Sequence, residues 1–185
     1  MGIKVRCIIM SNFKSKEFTM NHKDQWMTPP TAWQNILHWI PKDKVIWEPF
    51  WGNGKIVDFW KGKGFHVVGG ADDDFFKTEV KGDIILTNIP FSIKEKVINR
   101  LLKMGKPFIA ICPAWMLHTQ YFRKIMKGQV QIIIPKSRIN FHPSKTTPCK
   151  TRCNFECYYY CYKMGLPSDL NWIDWWNTED CNKWI

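Results

Sequence analysis

The chain has 185 residues, 45% of them hydrophobic and 15% aromatic, and its 27 Lys and Arg against 16 Asp and Glu give a formal net charge of +11. That length is enough for one domain with a complete core, and the lopsided charge points to a polyanionic partner. No run of about 18 apolar residues is present to cross a membrane, "MGIKVRCIIM" lacks the long apolar stretch of a secretory leader, and seven Cys outside any disulfide framework fit a reducing cytosol or nucleus.

Residues 1–23 carry no sustained period and read as an arm ahead of a domain spanning 24–164. In "DQWMTPPTAWQNILHWI", Pro29 and Pro30 end an extended piece. Thr31 is placed to cap a helix whose Trp33, Ile36, Leu37 and Ile40 recur at helical spacing. Strands and helices then alternate. "KVIWEPF" (44–50) is a strand running into "WGNGK", and "GKIVDFWKGKG" is a helix stopped at Gly62 or Gly64. "FHVVGG" (65–70) is a second strand, "DIILTN" a third, and "SIKEKVINRLLKMG" a helix capped by Ser92 and stopped by Gly105. "PFIAIC" and "QVQIIIP" are further strands, separated by the helical "AWMLHTQYFRKIMKG". "RINFH" and "CNFECYYYCYKM" read as a hairpin across a long basic loop. This order predicts an α/β fold, a mostly parallel sheet with helices on both faces and a C-terminal antiparallel hairpin. Between Asp74 and Asp83 there is no room for a strand flanked by two helices, so the sheet edge after the second strand is expected to be abbreviated.

Ligands of open α/β sheets sit outside the carboxyl ends of the strands, and three chemistry-bearing stretches fall there. In "EPFWGNG" (48–54), Gly52 and Gly54 let the backbone turn tightly and approach a ligand closely, although the third glycine of a G-x-G-x-x-G fingerprint is missing. In "GGADDDFF", Asp72 is placed to accept hydrogen bonds from a ribose diol, and Phe75 or Phe76 to pack on an adenine face. The third is "NIPF", Asn88 to Phe91. An exocyclic adenine amine is a poor nucleophile because its lone pair is delocalised into the ring. The side-chain oxygen of Asn88 and the backbone carbonyl of Ile89 offer two acceptors for its N–H groups. Pro90 stiffens the turn, and Phe91 presents a stacking face to an extruded base.

Taken together, "EPFWGNG", "GADDDFF" and "TNIPFS" resemble the class I S-adenosylmethionine-dependent methyltransferases that modify adenine N6, in particular their small phage- and large-virus-type members. "DQWMTPP" is similar to an N-terminal D-x-W-x-T-P-P segment of phage adenine methyltransferases. The resemblance covers about residues 24 to 163, and the fold it implies is the Rossmann-like class I methyltransferase fold. It implies S-adenosylmethionine as cofactor, held by Glu48, Pro49, Phe50, Gly52, Asn53, Gly54 and Asp72, with Trp26 and Thr28 enclosing it. The second position of the amine-binding motif is Ile89 where the DNA enzymes usually carry Pro. Because the acceptor there is a backbone carbonyl, the chemistry survives, and "NIPF" is similar to the form found in ribosomal RNA adenine dimethyltransferases. The "DQWMTPP" likeness favours DNA as substrate and the "NIPF" form keeps RNA in play. The rivals are a catalytically inactive subunit of this fold that binds nucleic acid for an active partner, and methylation of a protein glutamine.

Residues 135–152, "PKSRINFHPSKTTPCKTR", hold Lys136, Arg138, Lys145, Lys150 and Arg152 and no acid, and are expected to contact phosphates. Cys149, Cys153, Cys157 and Cys161 recur every four residues with His142 upstream, but strand spacing separates Cys157 from Cys161 and no Cys-x-x-Cys knuckle is present, so buried thiols are expected rather than a metal site. The acidic segment 165–185 contains Trp172, Trp175, Trp176 and Trp184 and is expected to pack on the domain, or to serve self-association or a protein partner. The expected compartment is cytoplasmic or nuclear, that of the host cell for a viral protein.

Overall fold

The computed structural model describes residues 26–70, 73–143 and 156–175. In chain order the elements are β1 (Trp26–Met27), α1 (Pro30–Gln34), β2 (Ile46–Trp47), α2 (Lys55–Gly62), β3 (Val67–Val68), β4 (Ile84–Asn88), α3 (Lys94–Met104), β5 (Phe108–Pro113), α4 (Gln120–Met126), β6 (Val130–Ile134), β7 (His142–Pro143), β8 (Cys157–Tyr162) and β9 (Leu170–Trp172). Short 3-10 turns at Leu37–Trp39, Phe91–Ile93 and Ala114–His118 follow α1, β4 and β5. Seven strands form the main sheet in the order β3-β2-β4-β5-β8-β6-β9. Strands β3, β2, β4 and β5 are parallel neighbours, β8 runs antiparallel to both β5 and β6, and β9 lies parallel to β6. This is the α/β, Rossmann-like arrangement that the resemblance implies, mostly parallel with one reversed strand near the C-terminus.

Both faces of the sheet are covered, and the period-2 alternation of each strand decides which residue serves which face. Ile84 and Leu86 of β4 pack with Trp33 and Ile36 of the first helical segment and with Val57 and Trp60 of α2. Ile85, Phe108 and Ala110 pack on the other side with Val97, Ile98 and Leu101 of α3 and Phe122 and Met126 of α4. Strand β8 alternates likewise: Tyr159 and Cys161 face the α1/α2 layer, Tyr160 and Tyr162 the α3/α4 layer. Burial on two faces explains why "DIILTN" and "PFIAIC" read as continuous apolar runs.

The abbreviated edge is present. Strand β3 is two residues long and ends the sheet, and residues 73–83 form turns instead of a further strand. Arg100 of α3 ties that turn region down, its Nε donating to the Phe75 carbonyl at 2.6 Å and its Nη2 to the Thr78 carbonyl at 2.9 Å. Backbone acceptors that a strand would have paired are thus satisfied by one guanidinium.

Three local expectations are corrected. "RINFH" is not the partner of "CNFECYYYCYKM": the antiparallel pair is made by β6 and β8, and only His142–Pro143 forms a bridge, to Trp26–Met27 in a separate two-stranded ribbon. Thr31 does not cap α1. Pro30 takes the first helical position, where its missing N–H is no loss, so the cap falls at Pro29. Ser92 does not cap α3, because Ile93 N donates to the Pro90 carbonyl at 3.2 Å and closes a 3-10 turn, leaving Ile93 at the cap. Gly105 does end α3, with φ 67°. Strand β9 was not foreseen.

Buried hydroxyls lock the layers. Tyr159 Oη donates to the Ala32 carbonyl at 2.6 Å, joining the reversed strand to α1, and Tyr160 Oη donates to the Pro113 carbonyl at 2.8 Å. Removing the first hydroxyl leaves the Ala32 carbonyl without that donor in an apolar layer. Tyr159→Phe is therefore expected to cost about 1–3 kcal/mol in a urea melt. An unchanged midpoint would show that α1 is held by packing alone.

Candidate active site

The site is built from the carboxyl ends of β2, β3 and β4. Beyond β2 the chain enters Glu48-Pro49-Phe50, all buried. The Glu48 carboxyl lies under the loop: its Oε1 accepts the Phe50 N–H at 3.0 Å and the Thr87 hydroxyl at 2.7 Å. Burial pushes the Glu48 pKa up to about 8, opposed by those two hydrogen bonds. Glu48 thus ties the loop after β2 to the last turn of β4, one residue before Asn88.

After Phe50 the backbone turns sharply. Gly54 N donates to the Trp51 carbonyl at 3.0 Å, with Gly52 at φ 60° and Gly54 at φ 81°, conformations that L side chains rarely adopt. Asn53 spends its side-chain oxygen on the Lys55 N–H at 3.2 Å, bracing the start of α2. At the adjacent strand end Gly69, φ 112°, presses on the Trp47 ring, where a Cβ would lie 3.0 Å from Cδ1. A Cβ built on Gly70 meets nothing within 4 Å. The chain thus turns on glycine at both neighbouring strand ends, tightly packed at Gly54 and Gly69 and open at Gly70.

At the end of β4, Asn88 shares the α1/α2 side of the sheet with Ile84 and Leu86 by strand parity. Its Oδ1 is buried and has no hydrogen-bond partner among the described residues. The Ile89 side chain sits in the α3/α4 layer at 2% exposure, which fixes the peptide between it and Pro90. Pro90 is extended, φ −65° and ψ 116°, and half-buried Phe91 meets Phe141 edge-on with ring centroids 6.4 Å apart.

The β1–β7 ribbon encloses this end of the sheet. Phe141 precedes His142, whose partner in the ribbon is Met27; half-buried Trp26 packs on the same core cluster as Phe91 and Phe141, and Thr28 is buried. His142 lies within electrostatic reach of Lys55 at the start of α2. Burial and that cation depress its pKa, and its Nε2 is buried without a partner among the described residues.

Other expected site residues fall elsewhere. Phe50 and Phe75 turn their rings into the core, 4.9 Å apart, so neither offers a face to a ligand; Phe76, beside them, is half-buried. Asp73 accepts from Gly70 N and pairs with Lys81, and Asp74 accepts from Phe76 N, so both serve the turn. Asp72, assigned to ribose, lies outside the described residues, as do Lys145, Lys150, Arg152, Cys149 and Cys153. Lys136 donates to the Asp174 carbonyl at 2.7 Å, and Arg138 pairs with Glu156 at 2.7 Å, holding the two ends of the basic segment. Cys157 and Cys161 are buried thiols in β8. Thr87 and His142 were missed as site residues. The signal for Thr87 was a hydroxyl residue closing an otherwise apolar strand.

Neither a protein-family model nor a curated protein sequence matches this chain. Among solved structures it is similar to a dimethyladenosine transferase from Plasmodium falciparum, at 13% identity and a TM-score of 0.46, covering 74% of this chain and 62% of that one. It is similar to a protein assigned as an RNA methyltransferase from Pyrococcus horikoshii, at 14% identity and 0.48, covering 84% and 94%. A third is a protein assigned as a class I S-adenosylmethionine-dependent methyltransferase from Listeria monocytogenes, at 11% identity and 0.47, covering 89% and 69%. The chain thus spans less than two thirds of the Plasmodium protein's length. These likenesses are distant, and the fold rests on the strand order of the chain itself.

The Glu48 environment gives a pH test. Its folded-state pKa lies above its unfolded value, so the folded protein holds a proton that the unfolded chain has released. Stability from this group is full below the ordinary carboxylate range and is lost as pH rises toward about 8. Glu48→Gln keeps an acceptor oxygen for Thr87 and Phe50 and does not titrate. Each unit of displacement is worth about 1.4 kcal/mol, so the variant should gain on wild type by more than about 2 kcal/mol between pH 5 and 9. Parallel stability curves for the two proteins would contradict the assignment.

Proposed function

We propose that this protein is an S-adenosylmethionine-dependent methyltransferase acting on the N6 amine of adenine in nucleic acid. The observation that carries the reading is the buried Oδ1 of Asn88 at the end of β4, without a partner among the described residues. A buried acceptor left without a donor costs about 1–3 kcal/mol, and such a cost persists where a ligand supplies the missing donor. An exocyclic amine has the N–H that this oxygen lacks.

In this reading Asn88 Oδ1 accepts one amine hydrogen and the Ile89 carbonyl the other, favouring a nitrogen whose lone pair points out of the ring plane. The extended Pro90 sets the distance between those acceptors and Phe91, whose half-buried ring stacks on the base. Phe141 buttresses Phe91 from the side. The turn at Gly52 and Gly54 suits a cofactor held by the backbone of 48–54; the resemblance adds Trp26 and Thr28, the sequence Phe76, and the ribose is assigned to Asp72, outside the described residues. When bound, S-adenosylmethionine supplies an activated methyl group. The chain's part is orientation, and no proton-abstracting side chain is required before attack.

The net charge of +11 supports a polyanionic substrate. "DQWMTPP" favours DNA, and RNA is the alternative supported by the "NIPF" form. The test is Asn88→Ala, assayed for methyl transfer and, separately, for cofactor affinity by calorimetry. Turnover is expected to fall at least ~100-fold, the scale of one lost preorganised contact, with cofactor affinity unchanged. Turnover equal to wild type would reject the role of Asn88, and loss of cofactor affinity would move that role to the cofactor site.

A further inference from the structure

Beyond the amine-binding turn, the same rim of the sheet carries an exposed aromatic that the reaction does not use. Trp115 follows β5 in the 3-10 turn Ala114–His118 and is 41% exposed, although its neighbour Met116 is fully buried. Asn88 pairs in register with Ile111, so Trp115 stands beyond the level of the amine-binding residue at the adjacent strand end. Lys94, three residues after Phe91, holds its Nζ 5.2 Å from the centre of the Trp115 ring.

The basic segment also returns here. Ala114 N donates to the Glu156 carbonyl at 2.8 Å, and the Glu156 carboxylate is neutralised by Arg138. Residues 138 and 156 bracket the stretch that contains Lys145, Lys150 and Arg152. An exposed indole, an adjacent ammonium and the root of a basic segment are thus gathered beside the amine-binding turn. Glu95 lies on the same turn as Lys94, within electrostatic reach of Tyr121.

We propose that Trp115 and Lys94 form a docking site for a single-stranded nucleic-acid segment flanking the target adenine, the indole stacking on a base and the ammonium meeting its phosphate. This rests on the proposed substrate class. An extruded base leaves its neighbours partly unstacked, and a flat apolar surface at the rim replaces the lost contact. Such stacking tolerates sequence because every base has a π-face. The adjacent cation adds salt-sensitive, sequence-blind attraction. The apposition also explains why a tryptophan stays in water at this position, where its neighbour in the turn is buried.

The test is fluorescence anisotropy with labelled, adenine-containing single strands of about 12 nucleotides, within the usual range of site sizes. Matched DNA and RNA strands identify which source is bound. Trp115→Ala is expected to weaken binding of the preferred strand by roughly tenfold, with Trp115→Phe recovering most of the loss. Lys94→Ala should lower the slope of log affinity against log salt by about 0.7. Calorimetric affinity for S-adenosylmethionine and the melting midpoint should stay at wild-type values in the Trp115 variants, which separates lost docking from lost folding. If wild type binds strands and Trp115→Ala binds them equally, this inference fails while the proposed reaction stands. If wild type binds neither DNA nor RNA, both fail together.

Discussion

The 2.7 Å hydrogen bond from the Thr87 hydroxyl to the Glu48 carboxyl is the constraint on which the site depends. It joins two strand ends that come from different parts of the chain. The same carboxyl oxygen also takes the Phe50 N–H, so one group fixes both the glycine loop after β2 and the register of Asn88 at the end of β4. Both partners are buried, where an unpaired acid would be costly and a paired one is stiff. The glycine loop and the Asn88–Phe91 turn are held as one unit before any ligand arrives.

Strand parity does the rest of the placement. Asn88 inherits the α1/α2 side from Ile84 and Leu86, and that is the side on which the β1–β7 ribbon brings Met27 against His142. Ile89 inherits the opposite side and is buried there, which anchors the peptide whose carbonyl is proposed as the second acceptor. Phe91 is then held between the two layers, against Phe141. Trp115, in the turn that follows β5, meets Lys94 at the adjacent strand end.

Much of this was legible because local patterns carry it. Apolar runs bounded by glycine turns marked the parallel strands, and the short stretch after Asp74 announced the abbreviated edge. The "NIPF" turn could be singled out because an amide and a proline at the end of a buried strand demand a reason. What the chain pattern does not carry is which elements meet. That β8 inserts between β5 and β6, and that Arg100 and Tyr159 satisfy carbonyls far away in sequence, follow from tertiary packing. Phe75 read as a ligand-facing ring because it follows an acidic loop; the packing of Trp47 and Phe50 draws it inward instead. Strand β9 carries exposed Leu170 and Trp172 and shows no alternation toward a core beyond buried Asn171, so nothing local marked it.

The central claim is that the acceptor pair at the end of β4 receives an adenine amine. It is tested most directly by incubating the protein with labelled S-adenosylmethionine and adenine-containing DNA and RNA, digesting to nucleosides and separating them. The account predicts label in N6-methyladenine nucleosides from at least one of the two acceptors. Label on a ring nitrogen of adenine, on another base or on none would contradict it.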